Sequence, residues 1–225
     1  MTILCIETST SVCSAAICKD GEPIKQCICR EGSNHARLLP RYIEELLSYV
    51  REHDLSINAV ALSEGPGSYT GLRIGTSTAK GLCYGLNVPL IPIPTLEVLC
   101  EACKELTSER MNELAVLVPM IDARRMEVYT MINGETKAVV VESEESFNIQ
   151  PSIFNIFYFG DGAAKCQAVL TAPNWHFIPN IVPEAQYMGR LANERLAISG
   201  EKIAYYEPYY LKEFIAAPSH VKGLV

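Results

Sequence analysis

The chain has 225 residues, 48% of them hydrophobic and 20% charged, with 14 glycines and 13 prolines. This is ordinary globular composition, which excludes collagen-like, coiled-coil and wholly disordered chains, and the length suits roughly one to two domains of about 100–150 residues each. The net charge of -7, from 26 acidic and 19 basic residues, argues against unaided nucleic-acid binding, because phosphate binding rests on Lys and Arg displacing counterions.

Met1-Thr2-Ile3-Leu4 lacks a basic leader, and Glu7 breaks the first apolar stretch, so the start reads as a strand and not as a secretory signal. No apolar run approaches the ~20 residues of a membrane span; the longest, around Val88 to Cys100, is cut by Pro89, Pro92 and Pro94. The expectation is a soluble, cytoplasmic protein whose 9 cysteines are reduced thiols filling core space.

Thr2 to Ile6, Val12 to Cys18 and Ile24 to Arg30 read as three strands, the second and third joined by the Asp20-Gly21 turn. A long helix follows, capped by Asn34, with Leu38, Leu39, Tyr42, Ile43, Leu46, Leu47 and Val50 at helical spacing and Pro40 in its first turns. Asn58 to Ser63 is a fourth strand, Tyr69 to Leu86 a second helix, Val88 to Ile93 a fifth strand and Thr95 to Leu106 a third helix. The order βββαβαβα implies an α/β fold with a mixed sheet and crossover helices. Polar Thr107 to Asn112 is the expected boundary, dividing a lobe at 1–106 from a smaller one at 107–225. In the second, Leu114 to Ile121, Met126 to Ile132, Lys137 to Val141 and Ile156 to Phe159 read as strands, and Gly162 to Leu170 and Tyr187 to Ile198 as helices. The tail after Pro208 reads as irregular, with disorder expected over Ala217 to Val225.

Three features could carry chemistry. Glu7-Thr8-Ser9-Thr10-Ser11, an acid at a strand end followed by hydroxyls, could hold a phosphate or a metal-bound water, or could be a hairpin loop satisfying its own backbone. Gly65 to Gly75 runs from a strand through a glycine turn into a helix N-terminus, a setting that attracts anions, but it lacks the lysine and spacing of a phosphate-binding loop. Gly71, Gly75 and Ala79 fall one turn apart and form a flat face, suited equally to packing within the chain and to an intermolecular interface. Asp122-Ala123-Arg124-Arg125 could grip an anion, but reads better as a hairpin turn with solvated charges. His35, His53, His176 and His220 are scattered, and Cys100-x-x-Cys103 and Cys27-x-Cys29 have no matching second pair, so no metal site is expected.

Ile3-Leu4-Cys5-Ile6-Glu7-Thr8-Ser9, the Gly65-to-Gly75 run, Ile121-Asp122-Ala123-Arg124 with Glu127-Val128-Tyr129, and Pro208-Tyr209-Tyr210-Leu211 occur in order. Together they resemble the TsaB (YeaZ) family of bacterial tRNA threonylcarbamoyladenosine biosynthesis proteins, over nearly the whole chain. The resemblance implies the actin-like ATPase (ASKHA) fold, two related lobes with mixed sheets and a reduced second lobe. It also implies a non-catalytic subunit that binds its larger paralogue TsaD. With the ATPase TsaE, the two would form N6-threonylcarbamoyladenosine next to the anticodon of ANN-decoding tRNAs. The chain would touch tRNA only through that complex and would be a homodimer when alone.

The catalytic paralogue carries a His-x-x-x-His metal pair whose positions here are Thr95 and Leu99, neither able to replace an imidazole. The family's partner surface, built from its first two helices, maps to Arg37, Arg41, Tyr42, Glu45, Gly71, Arg73, Ile74, Gly75 and Thr78. His35, in the helix-start motif, reads as structural or interfacial. Glu7, Thr8 and Ser9 would be a relic of a phosphate-binding turn or a weak nucleotide contact. The resemblance implies no cofactor beyond a weak ATP or ADP contact at the partner interface. A proteolytic reading finds no metal or nucleophile. The competing reading is an ATP-dependent phosphotransferase of the sugar-kinase type, for which only Glu7 and Asp122 offer themselves as Mg²⁺-orienting acids.

Overall fold

The computed structural model describes residues 1–32, 34–107, 115–149, 154–195 and 197–212. The first sheet has the order β3-β2-β1-β4-β5, from β1 (Thr2–Glu7), β2 (Cys13–Lys19), β3 (Glu22–Cys29), β4 (Ala59–Gly65) and β5 (Leu90–Pro94). β1 to β3 form an antiparallel meander, while β4 and β5 add in parallel. The turn between β2 and β3 puts Asp20 and Gly21 at φ 53° and 92°, the left-handed pair that a two-residue hairpin needs.

α1 (His35–Glu52) and α2 (Tyr69–Leu86) cover one face of this sheet. The apolar stripe of α1 reaches the core through Leu39, Ile43, Leu46 and Val50, which pack on Leu4, Ile6, Ala15 and Ile17 of the meander. Leu38, Tyr42 and Leu47 lie half-buried at the stripe's margins. α3 (Thr95–Thr107) and a short α4 (Met188–Asn193) cover the opposite face, against Ile3, Cys5, Ala59 and Ile91.

The second sheet repeats the first. β6 (Val116–Asp122), β7 (Glu127–Ile132) and β8 (Glu135–Val140) form a second antiparallel meander, and β9 (Ile156–Phe159) and β10 (Trp175–Ile178) add in parallel on the other side of β6. Its order, β8-β7-β6-β9-β10 read from the meander side, matches that of the first. This is the actin-like arrangement of two related lobes. The second is the reduced one: among the described residues, the crossovers that hold α1 and α2 in the first lobe hold only 3-10 turns here, at Glu144–Phe147 and Ala164–Cys166.

Two expectations are corrected, and one strand goes unannounced. The helix expected over Gly162 to Leu170 is the turn Ala164–Cys166, because the chain must descend tightly past Met120, whose carbonyl accepts from Gly162 N–H (3.1 Å). The helix expected over Tyr187 to Ile198 ends at Asn193, because Ile198 exchanges two backbone hydrogen bonds with Leu90 at the edge of β5 (2.7 and 2.9 Å). β10 carries no alternation that announces it, since it is four residues long and nearly continuous in aromatic character. Most of the expected boundary at Thr107 to Asn112, the start of the strand expected from Leu114, Leu196 and the tail Ala217 to Val225 lie outside the described residues.

Because Leu46 is fully buried between α1 and the sheet, Leu46→Ala should lower the unfolding free energy by about 2–5 kcal/mol in urea titration.

Candidate functional site

β1 and β6 both end in an acid, Glu7 and Asp122, and β4 and β9 both end in glycine turns, Gly65 to Gly67 and Gly160 to Gly162. The parallel ladders place each strand-end acid beside the glycine turn of its own lobe. The two turns face each other across a cleft of about 450 Å³, lined by Ser9, Thr10 and Ser11, Pro66 to Thr70, Ile121 to Arg124, Tyr129, Asp161 and Tyr209 to Lys212.

In the first lobe, the glycines serve contact within the chain. A Cβ at Gly71 would stand 2.0 Å from the Thr8 carbonyl oxygen, and one at Gly75 would stand 2.3 Å from Thr8 Oγ1. Thr8 Oγ1 donates to the Gly71 carbonyl (2.9 Å), and the Ser68 N–H donates to the Ser9 carbonyl (2.6 Å). Gly71, Gly75 and Ala79 are all buried. The small-residue face therefore packs on the chain's own Thr8 loop, while Gly71 also borders a pocket with Arg37 and Ile74.

Glu7 and Thr8 are fully buried and do not line the cleft, so their side chains are out of reach of a ligand there; Ser9 alone of the three borders it. Glu7 Oε1 accepts from the Ser9 N–H and the Ser9 hydroxyl, both at 2.5 Å, while Oε2 has no hydrogen-bond partner among the described residues. Burial raises the Glu7 carboxyl above the ordinary carboxylate range, against the Ser9 and Ser63 hydroxyls that favour its charged form, and the charge of Asp161 raises it further. Asp161 is raised as well, by desolvation at the cleft wall first and by Asp122 next to it, although the residue is exposed to solvent. Its Oδ1 accepts from the Asp122 N–H (3.0 Å), and Asp122 in turn pairs with Lys165. Asp161 and Lys165 were not singled out by sequence. The signal that finds Asp161 is the repeat: it sits in the second-lobe counterpart of the Gly65 to Gly67 turn.

His35 is a packing residue, buried with Nε2 against the Thr10 carbonyl (2.8 Å). Thr95 is buried and shares a hydrogen bond with Ser63 (Oγ to Oγ1, 2.7 Å), and Leu99 lies in the core beneath the sheet. Those two positions cannot ligate a metal, and among the described residues no three His, Cys, Asp or Glu side chains are grouped to hold one. Of the expected partner-facing residues, Arg37, Arg41, Glu45 and Arg73 are exposed, and Tyr42, Ile74 and Thr78 are half-buried. Glu45 pairs with Lys25 (2.9 Å), and the Arg73 guanidinium lies 4.3 Å from the centre of the Tyr69 ring, which itself packs on Tyr210 at the cleft wall (4.9 Å). Among the described residues, no helix is long and apolar enough to cross a membrane.

Residues 31–213 match the family model of TsaD, tRNA N6-adenosine threonylcarbamoyltransferase. The chain belongs to this family. Within it, the chain is similar to the tRNA threonylcarbamoyladenosine biosynthesis proteins TsaB of Haemophilus influenzae, 36% identical over 57% of this chain and 52% of that one, and of Escherichia coli, 35% identical over 57% and 53%. It thus spans about half the length of the curated relatives it matches. A solved structure of YeaZ from Pseudomonas aeruginosa shares the fold with a TM-score of 0.71 at 24% identity, covering 93% of this chain and 99% of that one.

Glu7 generates a pH dependence. Because its pKa is raised on folding, its favourable contribution is complete below the ordinary carboxylate value of 4.5 and is lost as pH rises through the folded value. Glu7→Gln, which keeps the shape and cannot ionise, should therefore gain stability over the wild-type chain progressively above about pH 4.5. Thermal melts of both proteins from pH 4 to pH 8 measure this, and a constant difference would contradict it.

Proposed function

We propose that this chain is a non-catalytic scaffolding subunit in tRNA threonylcarbamoyladenosine biosynthesis. It would dock a TsaD-type transferase through α1 and α2, work with the TsaE ATPase, and reach the ANN-decoding tRNA only through those partners. The observation that carries the reading is the pair Thr95 and Leu99: a chain of the transferase family has a hydroxyl bound to Ser63 and a core leucine where the catalytic member, by resemblance, has its imidazoles. The net charge of -7 agrees with tRNA contact lying on other subunits. The docking surface is Arg37, Arg41, Tyr42 and Glu45 of α1 with Arg73, Ile74 and Thr78 of α2, and it would also support a homodimer in the absence of the partner. The division into lobes at 1–106 and 107–225, and a cytoplasmic location, belong to the same reading.

Ile74→Glu and the more exposed Arg73→Glu should each weaken co-purification with the transferase partner by tenfold or more, as central interface substitutions do; Ile74 also packs on the core, so Arg73→Glu is the variant whose thermal melt should stay unchanged. The same variants should lower product formation when tRNA modification is reconstituted from purified subunits. Unchanged modification in the complete absence of this chain would overturn the reading.

The phosphotransferase alternative draws on the cleft itself, which Asp122 and Asp161 line together with Ser9, Thr10 and Ser11. Against it, Glu7 is sealed away and Asp122 is engaged with Lys165. Isothermal titration of the isolated chain with ATP and Mg²⁺ should show no micromolar binding and no turnover; both together would favour the enzyme.

A further inference from the structure

All nine cysteines are free thiols, and the reading above uses none of them. Two places bring sulfurs together. Cys5 and Cys18 are in contact, Sγ to Sγ 3.8 Å, but both are fully buried. They also lie diagonally, since Cys5 stands opposite Ala16 and Cys18 opposite Ile3. Diagonal neighbours are about 7–8 Å apart, beyond the roughly 4.4–6.8 Å between Cα atoms that a disulfide bridges.

Cys13 and Cys29 differ on both counts. They stand directly opposite each other in the antiparallel register of β2 and β3. Such partners have Cα atoms about 4.5–5.5 Å apart, within the disulfide range, and their side chains leave the sheet on the same face. That face lies under α1: Cys13 belongs to the core there, against which the half-buried Tyr42 packs. β3 is the edge strand, free to close by the small amount a bond requires. Cys13 is buried, whereas Cys29 is partly open to solvent at the strand end, with its Sγ reaching the Glu31 carbonyl (3.0 Å).

We propose that Cys13 and Cys29 form a cross-strand disulfide on exposure to hydrogen peroxide, opened again by a small dithiol. The Cys29 thiolate attacks peroxide, forming an S–O bond and breaking the O–O bond, and the departing hydroxide takes a proton to become water. The Cys13 sulfur then attacks the Cys29 sulfenic acid; the S–S bond forms, the S–O bond breaks, and the oxygen leaves with the Cys13 proton as a second water. Two thiols lose two electrons and one peroxide is reduced to two waters. Access sets the order, and burial, which raises the Cys13 thiol to about 12, suits Cys13 to the second step and not the first. The bond would fasten the edge strand on which Tyr42 and Glu45 of α1 rest. The inference is independent of the partner assignment.

The full chain is treated with peroxide, its remaining thiols are blocked, and it is digested with trypsin, which separates residues 1–19 from residues 26–30. Most chains should yield these two peptides as one disulfide-linked species, with fragmentation placing the bond at Cys13 and Cys29 and dithiothreitol releasing it. The species should vanish in Cys13→Ser and Cys29→Ser and persist in Cys5→Ser, Cys18→Ser and Cys27→Ser. Fragmentation of the wild-type species decides the bond even if a variant misfolds. Absence of the linked species, a bond placed at Cys5, Cys18 or Cys27, or Cys29 carried instead to sulfinic acid would each overturn the proposal.

Discussion

The Thr8 carbonyl occupies the space where a side chain at Gly71 would begin, and the Thr8 hydroxyl that of a side chain at Gly75, at 2.0 and 2.3 Å from the respective Cβ positions. This close approach fixes how deeply α2 sits on the first sheet and how it is rotated. With that rotation set, Leu72, Ala79 and Cys83 point into the core while Arg73, Ile74 and Thr78 turn outward. It also fixes Ser68 against Ser9, and so the floor of the interlobe cleft. A helix that is docked by its glycines presents its larger side chains elsewhere.

The cleft is quasi-symmetric in origin and asymmetric in chemistry. Glu7 and Asp122 close topologically equivalent strands, yet one is a sealed carboxyl with an unsatisfied oxygen and the other an exposed carboxylate paired with a lysine. The difference follows from the layers outside the sheets. Two long helices wall in the end of β1, whereas single turns occupy the described crossovers of the second lobe and leave the end of β6 open.

The first lobe was nearly readable from sequence because its elements are long and periodic: α2 spans Tyr69–Leu86 as its glycine turn and apolar spacing imply, and the meander follows from Asp20-Gly21. The second lobe was less so. Its crossovers owe their shape to tertiary contacts, such as Glu144 accepting from the N–H groups of Thr171 and Ala172 (2.6 and 2.7 Å) and Ile198 pairing with Leu90. No local pattern encodes such contacts. The site divided in the same way. The residue types at Glu7 to Ser11 marked the loop, but whether Glu7 faced a ligand or the interior depended on packing from α2. Asp161 showed only through the repeat of strand order, which shared no recognisable sequence.

The pairing of Ile198 with Leu90 has a bearing on the behaviour of the chain in concentrated solution. An open sheet with parallel strands at one side offers a row of unpaired amides and carbonyls to any passing strand. Here the returning chain occupies part of the β5 edge with two backbone bonds. The opposite edge, β3, carries Glu22, Pro23 and Lys25, which deter pairing by charge and by a missing donor. The first sheet is thus guarded on both sides against strand-to-strand association.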